Sequence, residues 1–471
     1  MSKYHLVTFG CQMNKSDSER VATILDNLGM EEATEPKDAD FILLNSCSVR
    51  QSAEDRVFGQ IRNFAKWRTK NPRLVLGVTG CMAGRDQDGA IQRKLSEVDL
   101  FFPTRDMIML PQWLAEHGLI DSVEGDPRPA HQAERPTHDN GEYLKITPKY
   151  RSGRQAFVSI QTGCNNFCTY CVVPYARGRE KNRPATDVMR EINELAERGT
   201  IEITLLGQTV NSFVSADDRV AFSADNPYQN HFAALLWEIN RIPGIERIHY
   251  TAPHPKSMND EVIDALALPK HVRYLHLPIQ SGSDEMLRKM NRKCTRSEML
   301  DVFRRVKERV PDIALGTDII VGFCGESRAM FEETLSFYRD VGFDISYNAR
   351  YSPRTGTPAW RAFKDDVSHD EKRARWAELH RLMEDTTWHK NQVFVDAVAE
   401  VLVEDCVGDI CTGYSRHMKL VRFKGEPNLI GQIVPVRIVT AHTWVLDGTL
   451  ELEMDLAQAC ATREKSSKQR A

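Results

Sequence analysis

Three cysteines stand close together in the segment Cys164-Asn-Asn-Phe-Cys168-Thr-Tyr-Cys171. The chain has 11 cysteines among 471 residues, and chance would produce this spacing only about 0.006 times in such a chain. Structural zinc usually takes four ligands in two separated pairs, whereas cysteines alone bind a 4Fe–4S cluster. Because no second pair follows, the spacing predicts a 4Fe–4S cluster in which one iron keeps an open position.

A second set of cysteines follows three apolar runs near the start of the chain. Cys11, Cys47 and Cys81 come directly after the runs 5–10, 41–46 and 74–80, and helix-like segments at 18–28 and 53–67 separate the runs. Alternating strands and helices with continuous apolar runs predict a parallel sheet. Parallel strands bring their carboxyl ends to one edge, so we expect these thiols to converge on a second cluster. Three unrelated buried cysteines are the alternative.

The composition is that of an ordinary globular protein. Hydrophobic residues make up 41% and charged residues 27%, and 62 basic against 66 acidic side chains leave a net charge of −4. A polycation that binds nucleic acid through net charge alone is therefore excluded. The chain has no run of 18 apolar residues and no secretory leader, so we expect a cytoplasmic protein without a membrane span or a disulfide framework.

The elements that would position the cysteines fall into three α/β or β domains. We predict a parallel-sheet α/β domain over 1–118, a linker over 119–149, a partial (β/α)6 barrel over 150–385, a small β-barrel over 388–453 and a tail over 454–471. The six barrel strands are predicted at 157–163, 201–207, 247–252, 274–280, 314–323 and 343–351. The 164–171 loop follows the first of them, on the carboxyl rim where such barrels keep their active sites.

Basic residues gather in two places. In the C-terminal domain they surround Tyr414 and Phe423, and the residues are Arg416, His417, Lys419, Arg422 and Lys424. Before the first barrel strand an acid-free run contains Lys145, Lys149, Arg151 and Arg154. Each set predicts contact with RNA or its phosphates, with a solvated surface as the alternative.

Several motifs together resemble one family. They are Gly10-Cys-Gln-Met-Asn, Asn45-Ser-Cys-Ser-Val-Arg, Thr79-Gly-Cys-Met, the 161–171 segment, Tyr175-Ala-Arg-Gly-Arg-Glu, Leu277-Pro-Ile-Gln-Ser-Gly-Ser and Tyr351-Ser-Pro-Arg-Thr-Gly-Thr-Pro-Ala. The chain resembles the radical S-adenosylmethionine methylthiotransferases over nearly its whole length, and its last domain is similar to the TRAM module. Two features depart from the family pattern: Cys324 stands where proline is usual, and the TRAM-like domain is not net basic.

The resemblance implies a chemistry. Cys164, Cys168 and Cys171 would hold a 4Fe–4S cluster that binds S-adenosylmethionine and generates a 5′-deoxyadenosyl radical. Cys11, Cys47 and Cys81 would hold a second 4Fe–4S cluster that carries the sulfur. The implied activity replaces the hydrogen on carbon 2 of N(6)-dimethylallyladenosine at position 37 of tRNA by a methylthio group.

The resemblance also implies supporting residues and partners. Contacts to the cofactor are expected from Tyr170, Gly207, Gln208, Gln280, Ser281 and Arg183. Arg177 would bind the cofactor carboxylate or a tRNA phosphate. An electron donor such as flavodoxin or ferredoxin is implied, and we expect a monomer.

Other interpretations of the same sequence stay open. The methylthio group would go instead to threonylcarbamoyladenosine in tRNA or to a ribosomal-protein aspartate. A non-catalytic, metal-bound RNA-binding protein and an electron-transfer protein are alternatives of other classes. The remaining candidates are interpreted as structural, namely His249, His254, His276, Cys294, Cys406, Cys411 and Cys460.

Overall fold

The computed structural model describes residues 1–48, 51–121 and 141–451. Most of the predicted linker and the predicted tail with Cys460 lie outside these ranges. Three bodies follow one another along the chain: a parallel-sheet domain, a six-stranded partial barrel and a small closed β-barrel. The predicted fold class is confirmed.

The first domain is a five-stranded sheet in the order β2-β1-β3-β4-β5, and every pairing in it is parallel. Its strands are β1 (Lys3–Phe9), β2 (Glu31–Glu32), β3 (Phe41–Ser46), β4 (Val75–Gly80) and β5 (Leu100–Phe101). Its helices are α1 (Gln12–Asn27), α2 (Gln51–Ala65), α3 (Cys81–Arg85) and α4 (Leu110–Glu116). Successive side chains of β3 enter opposite apolar cores, which explains why the run is continuously apolar.

Six parallel strands build the central domain in the order β6, β9, β10, β11, β12, β13. They are β6 (Gln155–Ser159), β9 (Glu202–Leu206), β10 (Arg247–Tyr250), β11 (Tyr274–His276), β12 (Ala314–Val321) and β13 (Ile345–Arg350). A short antiparallel pair, β7 (Gln161–Thr162) and β8 (Lys181–Asn182), frames the cysteine loop. The helices are α5 (Val173–Ala176), α6 (Ala185–Glu197), α7 (His231–Arg241), α8 (Asp260–Ala265), α9 (Asp284–Lys289), α10 (Arg296–Arg309), α11 (Arg328–Val341), α12 (Pro358–Ala362) and α13 (His369–Gln392).

The barrel strands are shorter than the sequence predicts, and β11 shows why. It ends at His276, before Pro278, which has no amide hydrogen to donate to a neighbouring strand. Pairing resumes as a single bridge between Gln280 and Ile319. The two halves of the barrel sheet likewise meet at one bridge, between Ile248 and His271.

The C-terminal domain is a closed barrel in the order β14-β15-β16-β18-β17. Its strands are β14 (Val398–Val407), β15 (Ile410–Ser415), β16 (Leu420–Lys424), β17 (Ile433–Ala441) and β18 (Leu446–Leu450). Cys406 and Cys411 face each other across the β14–β15 hairpin, 4.1 Å apart at Cα, and form a disulfide. The sequence did not predict this disulfide. The two cysteines are brought together by the register of the β14–β15 hairpin, which the cysteine spacing alone does not reveal.

Candidate functional site

The three N-terminal cysteines follow neighbouring strands at matched positions. Phe9, Ser46 and Gly80 are paired across β1, β3 and β4, so Cys11, Cys47 and Cys81 leave the sheet at the same edge. The Cys47 amide donates to the Phe9 carbonyl at 2.7 Å. A hydrogen bond from the Cys47 thiol lowers the pKa of Cys11 to about 6. We call these three residues the N-terminal triad.

Gly80 shapes the turn between β4 and Cys81, the third residue of the N-terminal triad. Its φ of +96° lies in the left-handed region, and a Cβ there would clash with the Asn45 side chain and the Ser46 backbone. The chain therefore turns sharply at the strand end, and Cys81 becomes the first residue of α3. Helix α1 starts at Gln12, earlier than the predicted residue 18, so Cys11 is the N-cap residue of this helix.

The 164–171 loop wraps three cysteines around one point on the barrel rim; we call them the rim triad. Gly163 (φ +77°) and Phe167 (φ +50°) are both in the left-handed region, which lets the chain double back within seven residues. The Cys171 amide donates to the Cys168 carbonyl at 3.0 Å, and the Cys164 amide donates to the Gly178 carbonyl at 3.1 Å. Cys164 and Cys168 are buried and Cys171 is half-buried.

The surroundings of the rim triad fit an iron–sulfur cluster. The Asn166 amide points at the Cys164 sulfur at 3.4 Å and the Val173 amide at the Cys171 sulfur at 3.5 Å. Hydrogen bonds of this kind to cluster sulfurs tune the reduction potential. Burial raises the pKa of the Cys171 thiol to about 12, and binding to iron would favour its thiolate.

Within the described ranges, no group of three or more His, Cys, Asp or Glu side chains is arranged to hold a single metal ion. A cubane cluster needs no such arrangement, because each cysteine binds a different iron.

Four of the six predicted cofactor contacts lie beside the rim triad or at strand ends facing it. Tyr170 belongs to the loop and packs against Met286, Phe323 and Tyr351. Gly207 and Gln208 follow β9, and the Gln208 side-chain oxygen is buried without a hydrogen-bond partner. Gln280 has a φ of +72° and its backbone pairs with β12. A buried, unpartnered amide oxygen is the feature expected where a ligand completes the hydrogen bonding.

The other two predicted contacts use their polar groups inside the fold. The Ser281 hydroxyl lies 3.2 Å from that of Thr334 on α11 and accepts the Ser283 amide. Arg183 forms a buried ion pair with Glu191 at 2.6 Å and donates to the Ser159 carbonyl at 2.9 Å. The polar groups of these two side chains thus already have partners within the protein, and their contact with the cofactor stays a prediction.

Two buried arginines contact cysteine sulfurs, and the sequence did not indicate either contact. Arg292 lies 3.9 Å from the Cys168 sulfur and donates to the Pro278 carbonyl at 2.6 Å. Arg177 lies 3.3 Å from the Cys81 sulfur, and its exposed fraction is 4%. Arg177 therefore faces the N-terminal triad and is too buried to be the phosphate ligand that the sequence suggested.

Most of the predicted RNA-binding cations have acidic or backbone partners. Lys149 pairs with Asp26 at 2.7 Å and Arg151 with Glu32 at 2.5 Å, both in the first domain. In the C-terminal barrel, Lys419 pairs with Asp344 of the central domain at 3.0 Å, and Arg416 donates to the His271 carbonyl at 3.2 Å. These cations hold the domains together. Lys424 remains mostly exposed.

Burial disfavours the charged form of two of the predicted structural histidines, His249 and His254, and of His271, which the sequence did not single out. Burial lowers the pKa of His254 and of His249 to about 3 and that of His271 to about 4. His254 accepts the Lys256 amide at 3.1 Å, as an unprotonated ring nitrogen does.

Two family models match the chain, one for each cysteine triad. The model described as Radical SAM superfamily matches residues 158–338, and the one described as Uncharacterized protein family UPF0004 matches residues 3–103. The barrel and its cysteine loop thus define a radical SAM protein. A solved structure of TsrM, a radical S-adenosylmethionine methyltransferase from Kitasatospora setae, shares this fold with a TM-score of 0.55. Its identity is 15% over 76% of this chain and 75% of that chain.

Closer relatives narrow the class. The tRNA-2-methylthio-N(6)-dimethylallyladenosine synthase of Geobacillus thermodenitrificans is 41% identical over 96% of this chain and 84% of its own length. The enzyme of the same name from Acetivibrio thermocellus is 38% identical over 95% of this chain and 90% of its own. The chain belongs to the family of the tRNA-2-methylthio-N(6)-dimethylallyladenosine synthases. In the three described ranges, no helix has the length and apolar character needed to cross a membrane.

Proposed function

We propose that the protein attaches a methylthio group to carbon 2 of N(6)-dimethylallyladenosine at position 37 of tRNA. The substrate follows from the names of its relatives. The observation that carries the proposal is structural: two separate cysteine triads lie in adjoining domains, and Arg177 reaches from the rim loop of one to Cys81 of the other.

The target bond explains why the chain needs cofactors. The hydrogen on carbon 2 of adenine is not acidic, and side-chain acid–base catalysis supplies only about 10²- to 10⁴-fold. Chemistry of this kind is supplied by the cofactor while the protein binds, orients and shields it. When bound, the two 4Fe–4S clusters and S-adenosylmethionine supply the radical and the sulfur.

The protein's own contribution is to provide two separate sets of cysteines, one on the barrel rim and one at the edge of the first sheet. Cys164, Cys168 and Cys171 would bind the cluster that engages S-adenosylmethionine, and the N-terminal triad would bind the other. Because each triad has only three cysteines, one iron of each cluster would be free to bind a small molecule or sulfur. Tyr170 belongs to the rim loop, and Gly207, Gln208 and Gln280 lie at the carboxyl ends of barrel strands. The unpartnered oxygen of Gln208 suits the amine of S-adenosylmethionine.

Partners and setting follow from the same chemistry. Reductive cleavage consumes an electron, for which we propose flavodoxin or ferredoxin as donor. We propose that the enzyme acts as a monomer in the cytoplasm, where tRNA is modified.

Two measurements test the proposal. Anaerobic reconstitution with iron and sulfide should give a brown protein with about eight irons per chain. The tRNA of a strain lacking the gene should lose the methylthio nucleoside and regain it with the wild-type gene. A colourless zinc protein would support the non-catalytic alternative. Persistence of the nucleoside, with loss of mass from a ribosomal protein, would contradict the tRNA substrate.

A further inference from the structure

Arg177 joins the two cysteine triads through its backbone and its side chain. It follows α5, directly after the rim loop, and the carbonyl of its neighbour Gly178 accepts the Cys164 amide. Its guanidinium points the other way, into the first domain. There it meets the Asp17 carboxylate at 2.5 Å, the Cys81 sulfur at 3.3 Å and the Tyr143 hydroxyl at 3.3 Å.

The contacts of Arg177 are almost completely removed from water. The side chains of Arg177 and Asp17 are 3% and 1% exposed. One carboxylate oxygen of Asp17 accepts the hydrogen bond from Arg177, and the other oxygen is buried without a hydrogen-bond partner. In such a medium, a charge acts on its neighbours far more strongly than it would at the surface.

The packing around Arg177 prevents it from turning away. Helix α3, which begins at Cys81, lies against α5 so closely that a Cβ on Gly84 would clash with the Ala176 carbonyl. On the other side, the Tyr143 hydroxyl lies 2.8 Å from that of Thr162. The guanidinium is therefore held beside one sulfur of the N-terminal triad.

We propose that Arg177 is a positioning residue whose buried charge raises the reduction potential of the cluster held by Cys11, Cys47 and Cys81, with Asp17 partly offsetting that charge. The inference rests on the proposed function only in requiring a cluster at this triad. It assigns Arg177 to the cluster of the other domain, although its sequence position places it beside the rim loop.

The physical reason lies in the change of charge on reduction. A cluster with three thiolate ligands becomes more negative when it gains an electron, so a nearby positive charge stabilises the reduced form more than the oxidised form. A charge-assisted hydrogen bond to the Cys81 sulfur acts in the same direction. The Asp17 carboxylate opposes both effects because it repels the added electron.

Opposite effects of the two partners distinguish this role from a purely structural one. Breaking a buried ion pair from either side loosens the same contact. A structural role therefore predicts similar consequences for Arg177→Gln and Asp17→Asn. The electrostatic role predicts a lower potential for the first and a higher potential for the second.

The test uses the full-length chain with Cys164, Cys168 and Cys171 changed to alanine, so that only the N-terminal triad can hold a cluster. After anaerobic reconstitution with iron and sulfide, the midpoint potential is measured by redox titration followed by electron paramagnetic resonance. We expect Arg177→Gln to lower the potential, Asp17→Asn to raise it, and Arg177→Lys to fall between Arg177→Gln and the parent.

The matched control is Arg375→Gln. Arg375 is also a buried arginine paired with a carboxylate, Glu326 at 2.8 Å, and it lies on α13. The substitution Arg375→Gln should leave the midpoint potential of the cluster unchanged. Shifts of the same sign in Arg177→Gln and Asp17→Asn, or no shift with iron retained, would overturn the inference. If Arg177→Gln loses its iron, the sign of the Asp17→Asn shift decides. Failure of the parent to bind iron would instead refute the proposed function.

Discussion

At the scale of single residues, the two triads divide the chemistry between them. Changing Cys168 to alanine should abolish formation of 5′-deoxyadenosine, because the rim cluster loses a ligand. Changing Cys47 to alanine should spare much of the S-adenosylmethionine cleavage yet stop methylthio transfer. Both products can be measured in one anaerobic assay by liquid chromatography and mass spectrometry.

The control for these variants is Cys294→Ala, which removes another buried cysteine without ligand spacing. We expect it to retain both activities and the full iron content. Equal loss of cofactor cleavage in Cys168→Ala and Cys47→Ala would mean that the roles are wrongly divided.

The sequence predicted correctly that Cys11, Cys47 and Cys81 follow neighbouring parallel strands, because strand ends are local features; that these cysteines bind a cluster stays a prediction. It misassigned Arg177 and missed Arg292, since the tip of a long side chain lies far from its own backbone. The partners of Arg177 are 96 and 160 residues away in the chain. No local pattern carries such information, whereas the strand-end placement of Cys11 and Cys81 needed only the parallel-sheet rule.

At the scale of elements, the contact between α3 and α5 joins the helix that begins at Cys81 to the helix that follows the rim triad. Gly84→Ala should cost about 1–3 kcal/mol of unfolding free energy, since its Cβ meets the Ala176 backbone and the well-packed contact has to open. The iron content of the N-terminal triad should fall with it. Urea denaturation and an iron assay measure the two effects.

Gly59 on α2 provides a control of opposite sign. A Cβ there meets nothing within 4 Å, and alanine is favoured over glycine inside a helix by about 0.5–1 kcal/mol. Gly59→Ala should therefore stabilise the protein slightly. Equal effects of the two substitutions would contradict the close-packing argument.

At the scale of the whole molecule, buried neutral histidines make stability depend on pH. His254 and His271 have native pKa values of about 3 and about 4, below the ordinary value of 6.5. Below pH 6.5 the unfolded chain gains protons that the native protein does not. Stability should therefore fall with pH, by about 1.4 kcal/mol per group per unit, until the native values are reached.

Urea denaturation between pH 7 and pH 5 checks this dependence. His271→Asn should reduce the loss of stability by the share of one group, whereas His389→Asn, at an exposed position on α13, should not change it. An unchanged pH dependence in His271→Asn would show that the ring is not kept neutral by burial.

At the contact between the two barrels, cationic side chains have other partners than the RNA that their charge pattern predicts. Lys419 and Arg416 were predicted to meet RNA, but they attach the small barrel to the central one. Arg247 adds to this contact by donating to the Tyr414 and Glu400 carbonyls at 2.8 and 2.7 Å. The sequence shows that Lys419 is cationic, but it does not show that the fold brings Lys419 to Asp344, 75 residues away in the chain.

The outer edge of β6 has a practical consequence. In the described part of the chain β6 is the last strand of its sheet, and Ser16 of α1 covers it by donating to the Phe157 carbonyl at 3.4 Å. Cutting the polypeptide between these bodies would uncover a row of backbone groups able to recruit another copy. We therefore expect the central domain to precipitate when it is expressed without the first domain. A chimera that replaces the first domain needs a helix at the position of α1 that covers the same edge of β6.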